Sequence, residues 1–257
     1  MNGLKPAGAS FGGLDFLSAV AVGRAAGWRL VHKFARNSSI GTVEEDLWEV
    51  GGVLVYPTTG ATLSTVSTSA NDTAVGSGAQ EITINGLNSS LQEISETIAL
   101  NGLTPVVTVG AFYRVNHVDV TAAGSSAANE GAITISHSGN PISYIDVGDG
   151  HDHCSHYTVP AGMRAWLLDA AFWQGKDDAS DSSIWHRHAT SGVWHRHFHA
   201  LSYRTPVPVN GLFESEHDGG TSGFSEGDDI RLTGRKDGAA GVDVNIAGRY
   251  VLLLKER

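Results

Sequence analysis

Hydrophobic and polar residues alternate in short bursts along most of this chain, which is the period of a half-buried strand. Trp28, Leu30, His32 and Phe34 interleave with Arg29, Val31, Lys33 and Ala35. Further on, residues 62–69 read TLSTVSTS and residues 80–86 read QEITING, with Ile82 and Ile84 on one face and Asn85-Gly86 as a hairpin-turn dipeptide. Residues 51–57 (GGVLVYP), 104–124 and 131–136 (GAITIS) extend the series, and residues 71–78 (NDTAVGSG) read as a loop. The stretch 91–100 (LQEISETIAL) carries both periods. Leu91, Ile94 and Ile98 suit a helix, but the flanking Asn-Gly pairs favour a strand. Later come 157–173, a strand, a Pro-Ala-Gly turn and a second strand, and 248–257 (GRYVLLLKER), an apolar strand with a charged end.

The start of the chain departs from this rhythm. Residues 1–13 are rich in Gly, Ala and Ser, and 15–23 predict two helical turns with Asp15 at the N-terminus and Gly23 as the stop. Histidine becomes frequent only from His137 onward. These shifts predict an all-β protein. Its expected parts are an extended N-terminal arm with a short helix (1–45), then two β-sandwich or jelly-roll-like modules, 46–146 and 147–257.

Composition narrows the function classes. The 257 residues include 32 glycines, only 17% are charged, and the formal net charge is −10. That charge, without a Lys/Arg run, argues against nucleic acid as a partner. A lone Cys154 rules out an internal disulfide. Residues 14–22 are too short and too weakly flanked to read as a signal peptide, and nothing approaches the roughly 20 apolar residues of a membrane span.

The densest chemistry lies in residues 183–201, SIWHRHATSGVWHRHFHAL, where WHRH occurs twice. With Ser191-Gly192 as a two-residue turn, His188 faces His195, Arg187 faces Arg196, His186 faces His197 and Trp185 faces Phe198. His186, His188, His195, His197 and His199 then share one face, and Trp185, Trp194, Phe198, Arg187 and Arg196 the other. Opposed imidazoles could hold a transition metal, and the HxHCxH run at His151, His153, Cys154 and His156 adds donors. This spacing is similar to that of cupin-type metal sites, although their Glu and distant His have no evident counterpart. The plainer reading has an aromatic/arginine packing face with the histidines exposed or at a subunit contact. It requires no cofactor, a structural transition metal being the alternative.

Other candidates are weaker. No GxSxG, P-loop, HExxH or dinucleotide fingerprint occurs. Asp228-Asp229 and Glu214/Glu216 read as solvated loop carboxylates, and Asp72 and the Asp146/Asp149/Asp152 group as possible Ca²⁺ ligands. Trp166, Trp173, Trp185 and Trp194 could form a sugar platform, though core positions suit them better.

Several stretches in order carry a resemblance: WRLVHKFARNSSIGT (28–42), DLWEVGGVLVYP (46–57), SANDTAVGSGAQEITINGLN (69–88), SETIALNG (95–102), FYRVNHVDV (112–120) and YTVPAG (157–162). Over roughly residues 28–165 the chain resembles tailed-bacteriophage virion structural proteins. The resemblance implies a non-enzymatic virion component made in the host bacterial cytoplasm, with capsid decoration or stabilisation as the expected role. It supplies no active site. The expected partners are further copies of the chain, a homotrimer above all, and other virion proteins such as the major capsid protein, with no membrane partner. Phe11, Leu14, Phe16, Leu17, Trp28, Leu30 and Phe34 are the expected attachment residues. Two alternatives stand beside this reading: a receptor- or glycan-binding β-sandwich of a tail or fibre, and a metal-dependent cupin-like enzyme.

Overall fold

The structure, a computed structural model, describes residues 13, 15–175, 180–202, 207–213, 223–237 and 243–257, with side chains left aside for 200–202 and 207–213. One helix and sixteen strands occur in it. They are α1 (Phe16–Ala21), β1 (Trp28–Ile40), β2 (Glu45–Asp46), β3 (Leu63–Ser67), β4 (Ala79–Leu87), β5 (Glu93–Ala99), β6 (Val106–Val107), β7 (Arg114–Ala123) and β8 (Ile133–His137). The series continues with β9 (Asn140–Ile145), β10 (Tyr157–Thr158), β11 (Met163–Gln174), β12 (Ser180–Arg187), β13 (Trp194–Ser202), β14 (Val207–Phe213), β15 (Asp229–Lys236) and β16 (Val244–Glu256). The protein is all-β with a short N-terminal helix, as its alternating pattern predicts.

Two pairs of antiparallel sheets form. In the first pair, β6-β3-β8-β9 faces β5-β4-β7. Leu63, Ile82, Ile84, Phe112, Val118, Ile133 and Ile135 fill the space between them. In the second, β1-β16-β11-β14 faces β10-β15-β12-β13, with β2 beside β15. Its core holds Leu47, Leu167, Phe172, Ile184, Phe224, Leu232, Ile246, Tyr250 and Leu252.

Residues 28–40, expected in the arm, instead make the edge strand of the second pair, registered against β16 from Trp28↔Lys255 onward. This also explains the run Val251-Leu252-Leu253-Leu254, buried on both faces. Leu252 and Leu254 point into the sandwich, while Leu253 lies under α1 with Ala19, Val20 and Ala25. Asp15 caps α1 by accepting from the Ser18 amide at 3.0 Å.

Three local expectations change. Asn85-Gly86 is not a turn: β4 runs through it to Leu87. A Cβ on Gly86 would sit 2.1 Å from the Arg114 carbonyl oxygen, so glycine is there for close backbone approach between β4 and β7. The hairpin turns later, where Leu91 adopts φ +58°. Residues 51–57 are no ladder strand, although Leu54 donates its amide to Asp46 Oδ2 at 2.7 Å. Strand β9, unforeseen, pairs with β8 across Ser138-Gly139, both at positive φ.

The two sandwiches are joined by buried polar contacts. Asn116 on β7 and Thr158 on β10 exchange two hydrogen bonds, at 3.0 and 2.9 Å, as if they were ladder neighbours. Arg114 Nε donates to Asp229 Oδ1 at 3.0 Å, and Lys33 Nζ to the Asn116 carbonyl at 2.8 Å. The Tyr250 hydroxyl donates to the Ser155 carbonyl at 2.7 Å. Buried polar groups paired this completely fix one relative position of the two bodies.

Candidate functional site

The double WHRH forms the β12–β13 hairpin, in a register other than the expected one. His186 faces His195, Arg187 faces Trp194 and Trp185 faces Arg196, after which the ladder slips so that Ile184 faces Phe198. The loop is 189–192, closed by Gly192 N–H to the His188 carbonyl at 2.8 Å, with Gly192 at φ +69°. The slip leaves one extra residue on β13, and an extra residue reverses the alternation beyond it. Phe198 therefore turns inward and stacks on Phe172 at 6.3 Å. His199 crosses to the other face, its Nε2 3.5 Å from Asp181 Oδ1.

The other four histidines do meet, on the inner face rather than towards solvent. The His186 ring lies 6.0, 6.1 and 5.1 Å from those of His188, His195 and His197, and 5.1 Å from Phe224 of the core. His186 is 1% exposed. Its Nε2 is 3.0 Å from Asp228 Oδ2 and its Nδ1 is 3.0 Å from His197 Nε2. Asp228 also accepts from the amides of Ala189 and Ser225. Burial pushes the Asp228 carboxyl up, but the His186 bond and these two amides hold it below its ordinary pKa. It is therefore an anion, and His186 donates to it through Nε2. Both His186 nitrogens are thus committed inside the protein, which leaves no lone pair for a metal in this arrangement.

The HxHCxH run also separates. His156 Nε2 binds the buried Asp46 at 3.0 Å, His153 Nδ1 lies 2.9 Å from Asp149, and burial pushes the Cys154 thiol up to about 12. Among the described residues no group of three or more His, Cys, Asp or Glu is placed to hold a metal ion. The expected Ca²⁺ ligands are engaged too. Asp72 accepts from the Ala79, Glu130 and Gly131 amides, Asp146 and Asp149 face Arg36, and Asp152 faces Lys33. Asp228 and Asp229, expected in solvent, are 1% and 0% exposed. Glu214 and Glu216 lie outside the described residues.

On the outer face of the hairpin, guanidinium groups cover the rings. Arg196 lies over Trp185 at 4.5 Å, Arg231 over Trp194 at 4.1 Å, and Arg187 over Tyr56 at 4.6 Å. Trp185 Nε1 donates to Glu44 at 2.9 Å. Trp166 stacks on Trp28 at 6.0 Å. At Trp166, Trp185 and Trp194, then, a ring is covered by another side chain of the same protein.

Of the expected attachment residues, Phe16, Leu17, Trp28 and Leu30 pack around α1 and Leu253. Phe34 is exposed and meets His153 edge-on at 5.2 Å. Phe11 and Leu14 lie outside the described residues.

A second site went unread in the sequence. A cleft of about 450 Å³ opens beside β1 and is lined by His32, Phe34, His117, Asp119, His151 and Arg249, among others. In it, His117 Nδ1 is 2.6 Å from the buried Asp152 Oδ1, and its Nε2 is 2.8 Å from Asp119 Oδ1. A neutral imidazole has one N–H, so two carboxylates at hydrogen-bond distance call for the imidazolium. The charges agree: Lys33 and a protonated His117 balance Asp119 and Asp152. Burial pulls the His117 pKa down, yet the bond and charge of Asp152 leave it raised. Burial pushes Asp152 up, and Lys33 with His117 holds it at about 2. The alternation of β7 places His117 and Asp119 on one face; Asp152, read from the sequence as a possible Ca²⁺ ligand, carries no local sign that it meets them.

No family model and no curated protein matches the chain. Among solved structures it is similar to that of the Gt strain of infectious bursal disease virus, at 12% identity and a TM-score of 0.22, over 90% of this chain and 77% of that one. It is also similar to the VP2 subviral particle of the same virus, at 8% identity and a TM-score of 0.23, over 89% and 71% of the two chains. Scores this low fix neither fold nor role.

Proposed function

We propose that this chain is a non-enzymatic structural component of a phage virion, a decoration or stabilising protein that docks through its N-terminal segment and assembles as a homotrimer. The observation that carries the reading is the junction between the two sandwiches. Reciprocal Asn116–Thr158 bonding, the Arg114–Asp229 pair and the Lys33 anchor tie the two sandwiches together through buried polar contacts, which suits repeated placement on a particle. The sequence resemblance across residues 28–165 points the same way. The titratable groups support a non-catalytic role. His186 and His117 are held between fixed partners, and Cys154 is a buried thiol too weakly acidic for a nucleophile.

Because Phe16, Leu17, Trp28 and Leu30 serve their own fold, docking falls to residues 1–14 and to Phe34. The test is truncation of residues 1–14, which leaves α1 and β1 intact, where a cut at residue 35 would remove most of an edge strand. Particles lacking the protein are mixed with full-length or truncated chain and sedimented. Co-sedimentation of the full-length chain alone, with both chains folded by circular dichroism and trimeric by native mass spectrometry, is expected. Failure of the full-length chain to co-sediment would overturn the reading.

A further inference from the structure

A second cleft, of about 490 Å³, differs from the one at His117 in its charge. Its lining holds two guanidinium groups, Arg114 and Arg187, and no carboxylate, whereas the cleft at His117 mixes both signs. This is unusual in a chain of net charge −10. Both sandwiches build it. Thr58, Thr59, Ser89, Leu91 and Tyr113 come from the first, and Arg187, Ala189, Gly192 and Gly227 from the second, so the WHRH hairpin is one wall.

The guanidinium groups are set rigidly. Arg114 lies over Tyr113 at 3.9 Å, donates to Asp229 at 3.0 Å and gives Nη1 to the Pro57 carbonyl at 2.7 Å. Arg187 lies over Tyr56 at 4.6 Å and donates Nε to Asp229 Oδ2 at 2.8 Å, with Nη2 on the same oxygen. Two cations thus share one fully buried carboxylate. The neighbouring Asp228 is turned to His186 and two amides. Arg187 Nη1 donates to no described group. The hydroxyls of Thr58, Thr59, Ser89 and Tyr113 likewise have no partner among the described residues.

We infer that this cleft binds an anionic saccharide, a hexose ring bearing a carboxylate. The carboxylate would accept from Arg187, whose pose is fixed before binding, so little ordering entropy is lost. The ring hydroxyls match four protein hydroxyls that both donate and accept. The volume suits one or two sugar rings, within the about 300–1,000 Å³ of small-ligand sites. This inference stands apart from the virion reading and needs neither the particle nor the N-terminal segment.

The test is NMR titration of the full-length, ¹⁵N-labelled protein with glucuronate, glucose, inorganic phosphate and acetate. Glucuronate should shift the Ala189, Gly192 and Gly227 amides saturably, with glucose, phosphate and acetate each at least about tenfold weaker, the loss expected for one charge-assisted or one multiple hydrogen-bond set. Arg187→Gln should weaken glucuronate by about tenfold or more. The exposed pair Thr58→Val with Ser89→Ala, which touches no core group, should weaken it severalfold and serves if Arg187→Gln does not fold. Absence of saturable glucuronate shifts at these amides would overturn the inference. So would equal binding of acetate or phosphate, which would mean charge alone is sensed, or affinity unchanged in the Thr58/Ser89 variant.

Discussion

His117 offers a stability prediction whose sign and size both follow from geometry. It bridges the first sandwich to Asp152 in the connecting loop, beside Lys33 of the second, at 2.6 Å to Asp152 and 2.8 Å to Asp119. A hydrogen bond to a charged group contributes about 1.5–3 kcal/mol when buried. The His117 side chain is 40% exposed, so solvent screens part of this. The expected cost of His117→Gln at pH 5.5 is therefore about 1–2 kcal/mol. Because folding raises the His117 pKa, its contribution is complete below the unfolded value of about 6.5 and is lost as pH rises through the folded pKa. Asp152, held at about 2, acts at the other end: its contribution is present above the unfolded value and is lost as pH falls towards 2. Both are whole only from about pH 4 to pH 6.5. Urea denaturation of wild type and His117→Gln at pH 5.5 and pH 8.5 tests this. The difference between the two proteins should be smaller at pH 8.5 than at pH 5.5. His153, whose pKa is lowered, titrates in both proteins and so cancels. A difference equal at the two pH values would show that His117 is not an imidazolium in the fold, and the charge-balance reasoning would fail.

Other outcomes follow from neighbouring features. His186→Leu removes one of three donors from the buried Asp228 anion and should cost about 3 kcal/mol, read as a fall in urea midpoint. Gly86→Ala puts a methyl carbon against the Arg114 carbonyl and should cost about 1–3 kcal/mol, read as a fall in urea midpoint. Cys154, with its thiol pushed up to about 12, should resist a thiol reagent at pH 8 in the native state and react on unfolding. Tyr250→Phe loses the bond to Ser155 and should lower stability by about 1 kcal/mol, seen as a lower Tm.

Local signals in the sequence carried much of the fold. The alternation in 28–35, 62–69 and 131–136 became β1, β3 and β8, and the ambiguous 91–100 became β5, because the Asn101-Gly102 turn ends it with Gly102 at φ +58°. What local pattern could not supply was partnership at a distance. Nothing near Trp28 shows that its strand pairs with residues 244–256, so local pattern alone leaves 28–40 in the arm. The hairpin shows the other limit. Every residue type in WHRH was legible, but one bulge decided which face Phe198 and His199 occupy. Likewise His117 and Asp119 were visible as neighbours on a strand, while Asp152, which makes the site, came from 35 residues away.

The long pairing of β1 with β16 also sets an order in time. On the ribosome, β1 emerges early and finds no partner until nearly the whole of the described chain has followed it. The first sandwich, whose strands lie between residues 63 and 145, closes on contacts local to that span and can condense first. During that interval β1 presents Trp28, Leu30 and Val31 on an open edge, the condition under which strands pair with the wrong chain. A chain cut short before residue 244 would keep that edge open for good. Truncated products of this protein should therefore aggregate through their N-terminal strand even though their first sandwich is folded.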